Sequence, residues 1–125
     1  MPDTMTDQQQ FITFCYVPDL SLIRAFYEQG LGLELARDQG SCRIYRVNPG
    51  AFLGFCQKGE APRPDGVILT LVCDDVDNRF AQAVNVGGVV EKAPADNAQY
   101  GIYHAFLRDP AGYLVEIQRF HKRLI

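Results

Sequence analysis

Two stretches of the chain decide its fold when one is laid on the other: residues 12–33, ITFCYVPDLSLIRAFYEQGLGL, and residues 68–89, ILTLVCDDVDNRFAQAVNVGGV. A constant shift of 56 matches Ile12 with Ile68, Asp19 with Asp75, Ala25 with Ala81 and Gly32 with Gly88. Each stretch belongs to a β-rich apolar run, Phe11 to Val17 and Val67 to Cys73, followed by an aspartate placed to cap a helix. Apolar residues then recur at helical spacing: Leu22, Ile23, Phe26 and Tyr27 in an expected helix over 20–29, and Val76, Phe80, Ala83 and Val84 in one over 75–85. Gly30 and the pair Gly87-Gly88 supply the stops.

Working outward, three strand segments follow each helix. They cover 33–37, 42–47 and 52–57 in the first half, and 89–92, 102–108 and 113–120 in the second. Asn48-Pro49-Gly50 turns the chain into the last strand of the first half, and Asp109-Pro110-Ala111-Gly112 does so in the second, at a shift of 62 beyond the turn. The polar run KGEAPRPDG, residues 58–66, reads as a linker. The pattern is a duplicated βαβββ unit, an α+β fold with modules at 11–57 and 67–120 in one domain over 11–120. Residues 1–10 and 121–125 are expected to be flexible tails.

The bulk properties fit a single core in 125 residues. Twelve basic and 15 acidic residues, interspersed to a net charge of -3, give no field for phosphate backbones or anionic lipid, so neither nucleic acid nor a membrane surface is an expected partner. No apolar run approaches the roughly 20 residues a bilayer span requires. The N-terminal MPDTMTDQQQ lacks the features of a secretory signal, which points to a cytoplasmic location. Cys15, Cys42, Cys56 and Cys73 lack the close pairing of a zinc site and are expected as reduced core residues.

Val17-Pro18-Asp19-Leu20 followed by Phe26-Tyr27 and Leu31-Gly32, then Asp109-Pro110-Ala111-Gly112-Tyr113 leading to Glu116, resembles the vicinal oxygen chelate superfamily. That superfamily includes glyoxalase I, bleomycin-resistance proteins, fosfomycin-resistance enzymes and extradiol dioxygenases. The likeness runs from Phe11 to Phe120 and implies curved mixed sheets around a small-molecule pocket, with helices outside. Metal-dependent members draw four His or Glu ligands from the first and fourth strands of the two modules. Carried over, those positions fall on Ile12, Gly54, Ile68 and Glu116. Only Glu116 can ligate, so no metal and no other cofactor is expected.

Taking Glu116 as inward by the same resemblance, strand alternation places Ile12, Phe14, Tyr16, Phe52, Gly54, Cys56, Ile68, Thr70, Val72, Leu114 and Gln118 on the pocket face. Pairing across the last turn adds Tyr103, Ala105 and Leu107, and the equivalent strand of the first half adds Ile44 and Arg46. The expected ligand-binding residues are Tyr16, Phe14, Ile12, Arg46, Phe52, Ile68, Tyr103 and Glu116. Tyr16 and Tyr103 offer ring faces and hydroxyls, and Arg46 offers a carboxylate partner. Glu116 is a candidate general base or hydrogen-bond acceptor, or a relic carboxylate satisfied by Tyr103, Tyr16, Arg46 or water. Cys56 has no activating base. His104 has the opposite parity to Tyr103 and is expected to point away from the pocket, while His121 lies in the basic tail.

The reading is a metal-independent binder of an apolar or aromatic small molecule, of the glyoxalase/bleomycin-resistance type, working as a homodimer. Two alternatives stand beside it: a glyoxalase-like lyase/isomerase or dioxygenase-class enzyme using Glu116, and a regulatory or assembly subunit with a vestigial pocket.

Overall fold

A computed structural model describes residues 9–59 and 65–124. The expected tail over 1–8, the middle of the expected linker (60–64) and Ile125 lie outside the described residues. Parallel pairing needs a crossover between partner strands, and the helical segments supply it in both halves. In the first half β1 (Phe11–Val17) pairs in parallel with β4 (Ala51–Gln57). On the other side of β4 lie β3 (Cys42–Asn48) and then β2 (Glu34–Asp38), giving the order β1-β4-β3-β2. The second half repeats the arrangement as β5-β8-β7-β6, from β5 (Ile68–Val72), β6 (Val89–Asn97), β7 (Ile102–Arg108) and β8 (Leu114–Phe120). The architecture is α+β, with two similar modules of open four-stranded mixed sheet, as the duplicated pattern predicts.

The helical segments are less alike than the sequence suggests. In the second half α1 (Val76–Asn85) is a regular helix whose first turn is capped by the Asp75 carboxylate, which accepts from the Asn78 N–H at 3.0 Å. In the first half the expected helix over 20–29 is replaced by a 3-10 turn at Leu20–Leu22 and a π turn at Phe26–Gly30. The Asp19 carboxylate accepts from the Ser21 N–H and the Leu22 N–H donates to the Asp19 carbonyl in a tight i to i+3 turn, whereas the Leu31 N–H reaches back five residues to the Phe26 carbonyl at 2.9 Å. The wider turn accommodates close backbone packing. A Cβ on Gly30 would stand 3.1 Å from Ala83 Cα and 2.8 Å from Val86 Cγ2, so only glycine lets the two helical segments meet. Leu22 and Val84, expected inward, are exposed, and Ile23, Phe26, Tyr27, Val76 and Ala83 carry the burial instead.

The core lies between these segments and the facing side of each sheet, with Val17, Tyr45 and Phe55 from one and Leu107, Val115 and Ile117 from the other. Tyr27 sits at its centre, its ring 4.5 Å from Phe55 and 4.9 Å from Phe26. Three hydrogen bonds of 2.6 Å tie the halves together: Tyr27 Oη to Asp109 Oδ2, Tyr113 Oη to the Tyr16 carbonyl, and Arg79 Nη1 to the Leu31 carbonyl. Burial pushes the Asp109 carboxyl above its ordinary pKa, even though Tyr27 and the backbone of Tyr113 and Ala111 donate to it.

The expectation of four reduced cysteines is overturned. Cys42 and Cys56 are not reduced core residues. They face each other across the β3–β4 ladder, with Cα atoms 4.1 Å apart, and their sulfurs form a disulfide. Their separation of 14 residues carried no signal, because the pairing follows from the strand register set by the turn between β3 and β4. Cys15 and Cys73 are free thiols. The His121 N–H donates to the Gly101 carbonyl at 2.9 Å and its ring meets Asp96.

Candidate functional site

The last turn decides which side chains surround Glu116. A four-residue turn at 109–112 would set Ala105 opposite Glu116. The Asp109 N–H instead donates to the Tyr113 carbonyl, and the Asp109 carboxylate accepts from the N–H groups of Ala111 and Tyr113, each at 2.9 Å. Tyr113 therefore belongs to the loop, Gly112 takes the left-handed conformation at φ 98°, and pairing resumes at Arg108 opposite Leu114. A one-residue slip turns every side chain of a strand to the other face. Ile102, His104 and Phe106 thus share the face of Glu116 and Gln118, and Tyr103, Ala105 and Leu107 face the helical side. The expectation for His104 is overturned, as is the placement of Tyr103, whose hydroxyl donates to Asp77 near the start of α1 at 2.6 Å.

Glu116, 7% exposed, is the hub of a small network. Thr70 Oγ1 donates to its Oε1 at 2.9 Å, Gln118 Nε2 donates to its Oε2 at 2.8 Å, and His104 Nδ1 lies 2.6 Å from the same Oε2. With Nδ1 turned to the Glu116 carboxylate, Nε2 is the other polar atom of the ring. That Nε2 is the one buried side-chain nitrogen or oxygen without a partner among the described residues. His104 is 5% exposed, and the Phe106 ring packs against it edge-on at 5.1 Å.

His104, Glu116 and Gln118 form part of the lining of an open recess of about 540 Å³ on that face of the second sheet. Ile68, Ile102, Phe106 and Phe120 give it apolar walls, and Lys92 and Asn97 stand at its β6 side. Its size and its ratio of apolar wall to convergent polar groups suit a small organic molecule. A wider cleft of about 750 Å³ beside Arg119, His121 and Arg123 contains no comparable buried polar network.

The structure spreads the expected ligand-binding residues over more than one surface, although Phe52 of the first module and Ile68 of the second also line one smaller cleft of about 210 Å³. Ile68 and Glu116 line the recess. Ile12, Phe14 and Tyr16 lie on the corresponding face of the first sheet beside Phe52, Gly54 and Cys56. There the Lys58 ammonium sits 4.7 Å from the Tyr16 ring centre, and the Arg46 guanidinium lies 5.6 Å from that of Phe52. Sequence reasoning missed His104, and the lost signal was the length of the last loop.

The residues present do not fit the divalent ion of metal-dependent relatives. Ile12 and Ile68 have no donor atom, and the Phe14 ring covers Gly54 so closely that a Cβ there would lie 2.5 Å from its carbons. Both Glu116 oxygens are engaged, and no group of three or more metal-ligating side chains occurs among the described residues.

The duplication makes the site's asymmetry explicit. The shift of 62 carries Cys42 onto His104, Gly54 onto Glu116 and Cys56 onto Gln118, and the shift of 56 carries Phe14 onto Thr70. In both halves the first and third of these positions are directly opposed across the ladder, Cys42 with Cys56 and His104 with Gln118. One module fills the four positions with a disulfide, a glycine and a phenyl ring. The other fills them with a hydrogen-bonded polar network.

Comparison with known proteins agrees with the fold. Residues 12–117 match the glyoxalase-like domain family. Among solved structures, a glyoxalase-related enzyme from Fulvimarina pelagi superposes with a TM-score of 0.77 at 20% identity, covering 90% of this chain and 88% of that one. A glyoxalase/bleomycin resistance protein from Albidiferax ferrireducens T118 gives a TM-score of 0.73 at 23% identity over 88% and 96% of the two chains. A glyoxalase/bleomycin resistance protein/dioxygenase family enzyme from Burkholderia phytofirmans PsJN gives 0.74 at 21% over 86% and 95%. No curated protein matches the sequence significantly. Duplicated βαβββ modules, the aspartate-centred last turn and the match over 12–117 together establish that the chain belongs to the glyoxalase-like domain family, within the vicinal oxygen chelate superfamily.

Proposed function

We propose that this chain is a metal-independent small-molecule-binding protein whose guest, an apolar or aromatic compound, sits in the recess of the second module. The observation that carries the reading is the recess itself: about 540 Å³, apolar walls, and a buried carboxylate-imidazole pair at one place in its lining. A monoaromatic fragment set at millimolar concentration tests it by amide shifts. Perturbations confined to Phe106, Glu116 and Phe120, with a rise in melting temperature, support it. Shifts that cluster elsewhere, or none, overturn it.

On this reading Ile12, Phe14, Tyr16 and Arg46 serve a second surface and not the same guest. Phe14 and Tyr16 are about half exposed, and a homodimer that covers them is part of the proposal. Sedimentation of a monomer at micromolar concentration would remove the dimer.

One observation favours an enzymatic reading as the alternative. An imidazole oriented by a carboxylate at 2.6 Å is the arrangement that acid-base catalysts use, so a lyase or isomerase would employ His104 as the proton carrier and Glu116 as its positioning group. In that case turnover collapses in His104→Phe and falls in Glu116→Gln, whereas a binder shows no turnover to lose.

A further inference from the structure

The recess adjoins a second space, and together they set the shape of the guest, provided that the recess is the binding site. β1 and β5 are edge strands, one of each sheet, and are not hydrogen-bonded to each other. The smaller cleft of about 210 Å³ is lined by Phe11 and Thr13 of β1 and by Leu69 and Leu71 of β5, so it lies between these two edges. Two residues join it to the recess. Ile68 lines both spaces, and Thr70, which lines the cleft, donates to Glu116, which lines the recess. Phe106, Glu116 and Thr70 stand in one row across β7, β8 and β5. The row spans two strand spacings, about 10 Å, from the Phe106 side of the recess to the cleft. We infer that the guest is elongated: an apolar ring in the recess carries a saturated chain of roughly six to eight carbons, which crosses β5 at Ile68 and Thr70 and ends in the cleft between the modules.

The lining of the cleft selects a hydrocarbon chain over a polar or charged group. None of its residues is charged. Of its hydroxyls, that of Tyr27 is committed to Asp109 and that of Thr70 to Glu116, which leaves Thr13 as the one polar side chain not already engaged among the described residues. A carboxylate, phosphate or ammonium placed there would lose its hydration and meet no opposite charge. Tyr27, Leu31 and Val115 are buried and close the cleft on its core side. An apolar cavity of about 150 Å³ holds a six-carbon ring in other proteins, which sets the scale of the chain. A compact ring compound fills the recess alone and leaves Ile68, 50% exposed, in contact with water, whereas the chain covers it.

The test uses 4-ethylphenol, 4-butylphenol, 4-hexylphenol and 4-octylphenol on the full chain, each below its solubility limit. Equilibrium dialysis is expected to show affinity rising roughly tenfold or more from ethyl to octyl, a fraction of the roughly fourfold that each fully buried methylene contributes. Longer chains also adhere to apolar surfaces at large, so position decides. Nuclear Overhauser contacts from the terminal methyl of 4-octylphenol are expected at Thr13 and Leu71, with ring contacts at Phe106. In Thr13→Phe, whose ring occupies the cleft, the octyl-to-ethyl affinity ratio should fall to about threefold or less. Ala51→Leu, on the β4 side of the same cleft, should lower the ratio in the same direction and serves where the first variant folds poorly. A wild-type gain under about threefold, a ratio that survives both variants, or methyl contacts confined to residues outside the cleft overturns the inference. Shifts at Phe106 and Phe120 with 4-ethylphenol would then still leave the recess a binding site. Absence of recess contacts with all four probes overturns both.

Discussion

Replacing Glu116 by Gln and by Leu separates hydrogen bonding from bulk in the network. In Glu116→Gln the amide oxygen takes the place of Oε2 and accepts from His104 and Gln118. The amide nitrogen then faces Thr70, whose hydroxyl turns to accept. All three contacts survive and only charge assistance is lost, which costs about 1 kcal/mol. In Glu116→Leu the donors on His104 and Gln118, residues 5% and 8% exposed, lose their acceptor, while Thr70 is exposed and turns to water. Two orphaned buried donors cost roughly 2–6 kcal/mol, offset by about 1 kcal/mol from the added apolar burial. Urea unfolding followed by circular dichroism, with an unchanged m-value as the check on comparability, should rank wild type, Gln and Leu in that order with the larger gap at Leu. A Leu variant as stable as the Gln variant would falsify the hydrogen-bonded hub.

Three further outcomes are expected. Reducing the Cys42–Cys56 disulfide, or replacing both cysteines by serine, should lower stability by about 3 kcal/mol, as a loop of this length implies, measured by melting with and without dithiothreitol; no shift on reduction sinks the expectation. The Cys15 thiol is pushed up to about 11, by burial first and by Asp109 second, so native protein should leave it unalkylated by iodoacetamide at pH 8 while urea-unfolded protein reacts, read by intact mass. Asp109 has its folded pKa raised above the ordinary 3.8, so the folded state holds a proton that the unfolded chain releases. Its contribution is full below 3.8 and is lost as pH rises through the folded value, and Asp109→Asn should flatten that fall in a melting-temperature profile. An unchanged slope tells against it.

Much of the architecture was legible because it was written twice. Ile12 to Gly32 and Ile68 to Gly88 repeat one order of elements, and local capping by Asp19 and Asp75 marks where the 3-10 turn and α1 begin. What stayed hidden depended on contacts remote in sequence or on the register of a loop. The π turn at Phe26–Gly30 follows from Gly30 packing on Ala83, some 50 residues away, which no helical periodicity reveals. The disulfide follows from β3–β4 register. Glu116 was legible as a buried polar group, but its partner was not. Whether His104 or Tyr103 faces it depends on whether Tyr113 belongs to the loop, and the Asp109 hydrogen bonds decide that.

Duplication also shows how the polar network comes to be confined to one half. A site built on the family's pseudo-symmetry needs donors from both modules, at Ile12 and Gly54 as well as at Ile68 and Glu116. Here the first module has given up its donors, and the Phe14 ring and the Cys42–Cys56 disulfide occupy the equivalent ground. The second module has no ligand set either, yet it holds four polar side chains in one network with a single unmet nitrogen. An unpaired buried nitrogen costs the fold roughly 1–3 kcal/mol. A cross-strand disulfide contributes stability of similar size in the other half, about 3 kcal/mol. The half with the disulfide and the half with the unpaired nitrogen are the same four positions read twice, so the paired substitutions His104→Cys and Gln118→Cys should stiffen the second sheet and remove the polar network together.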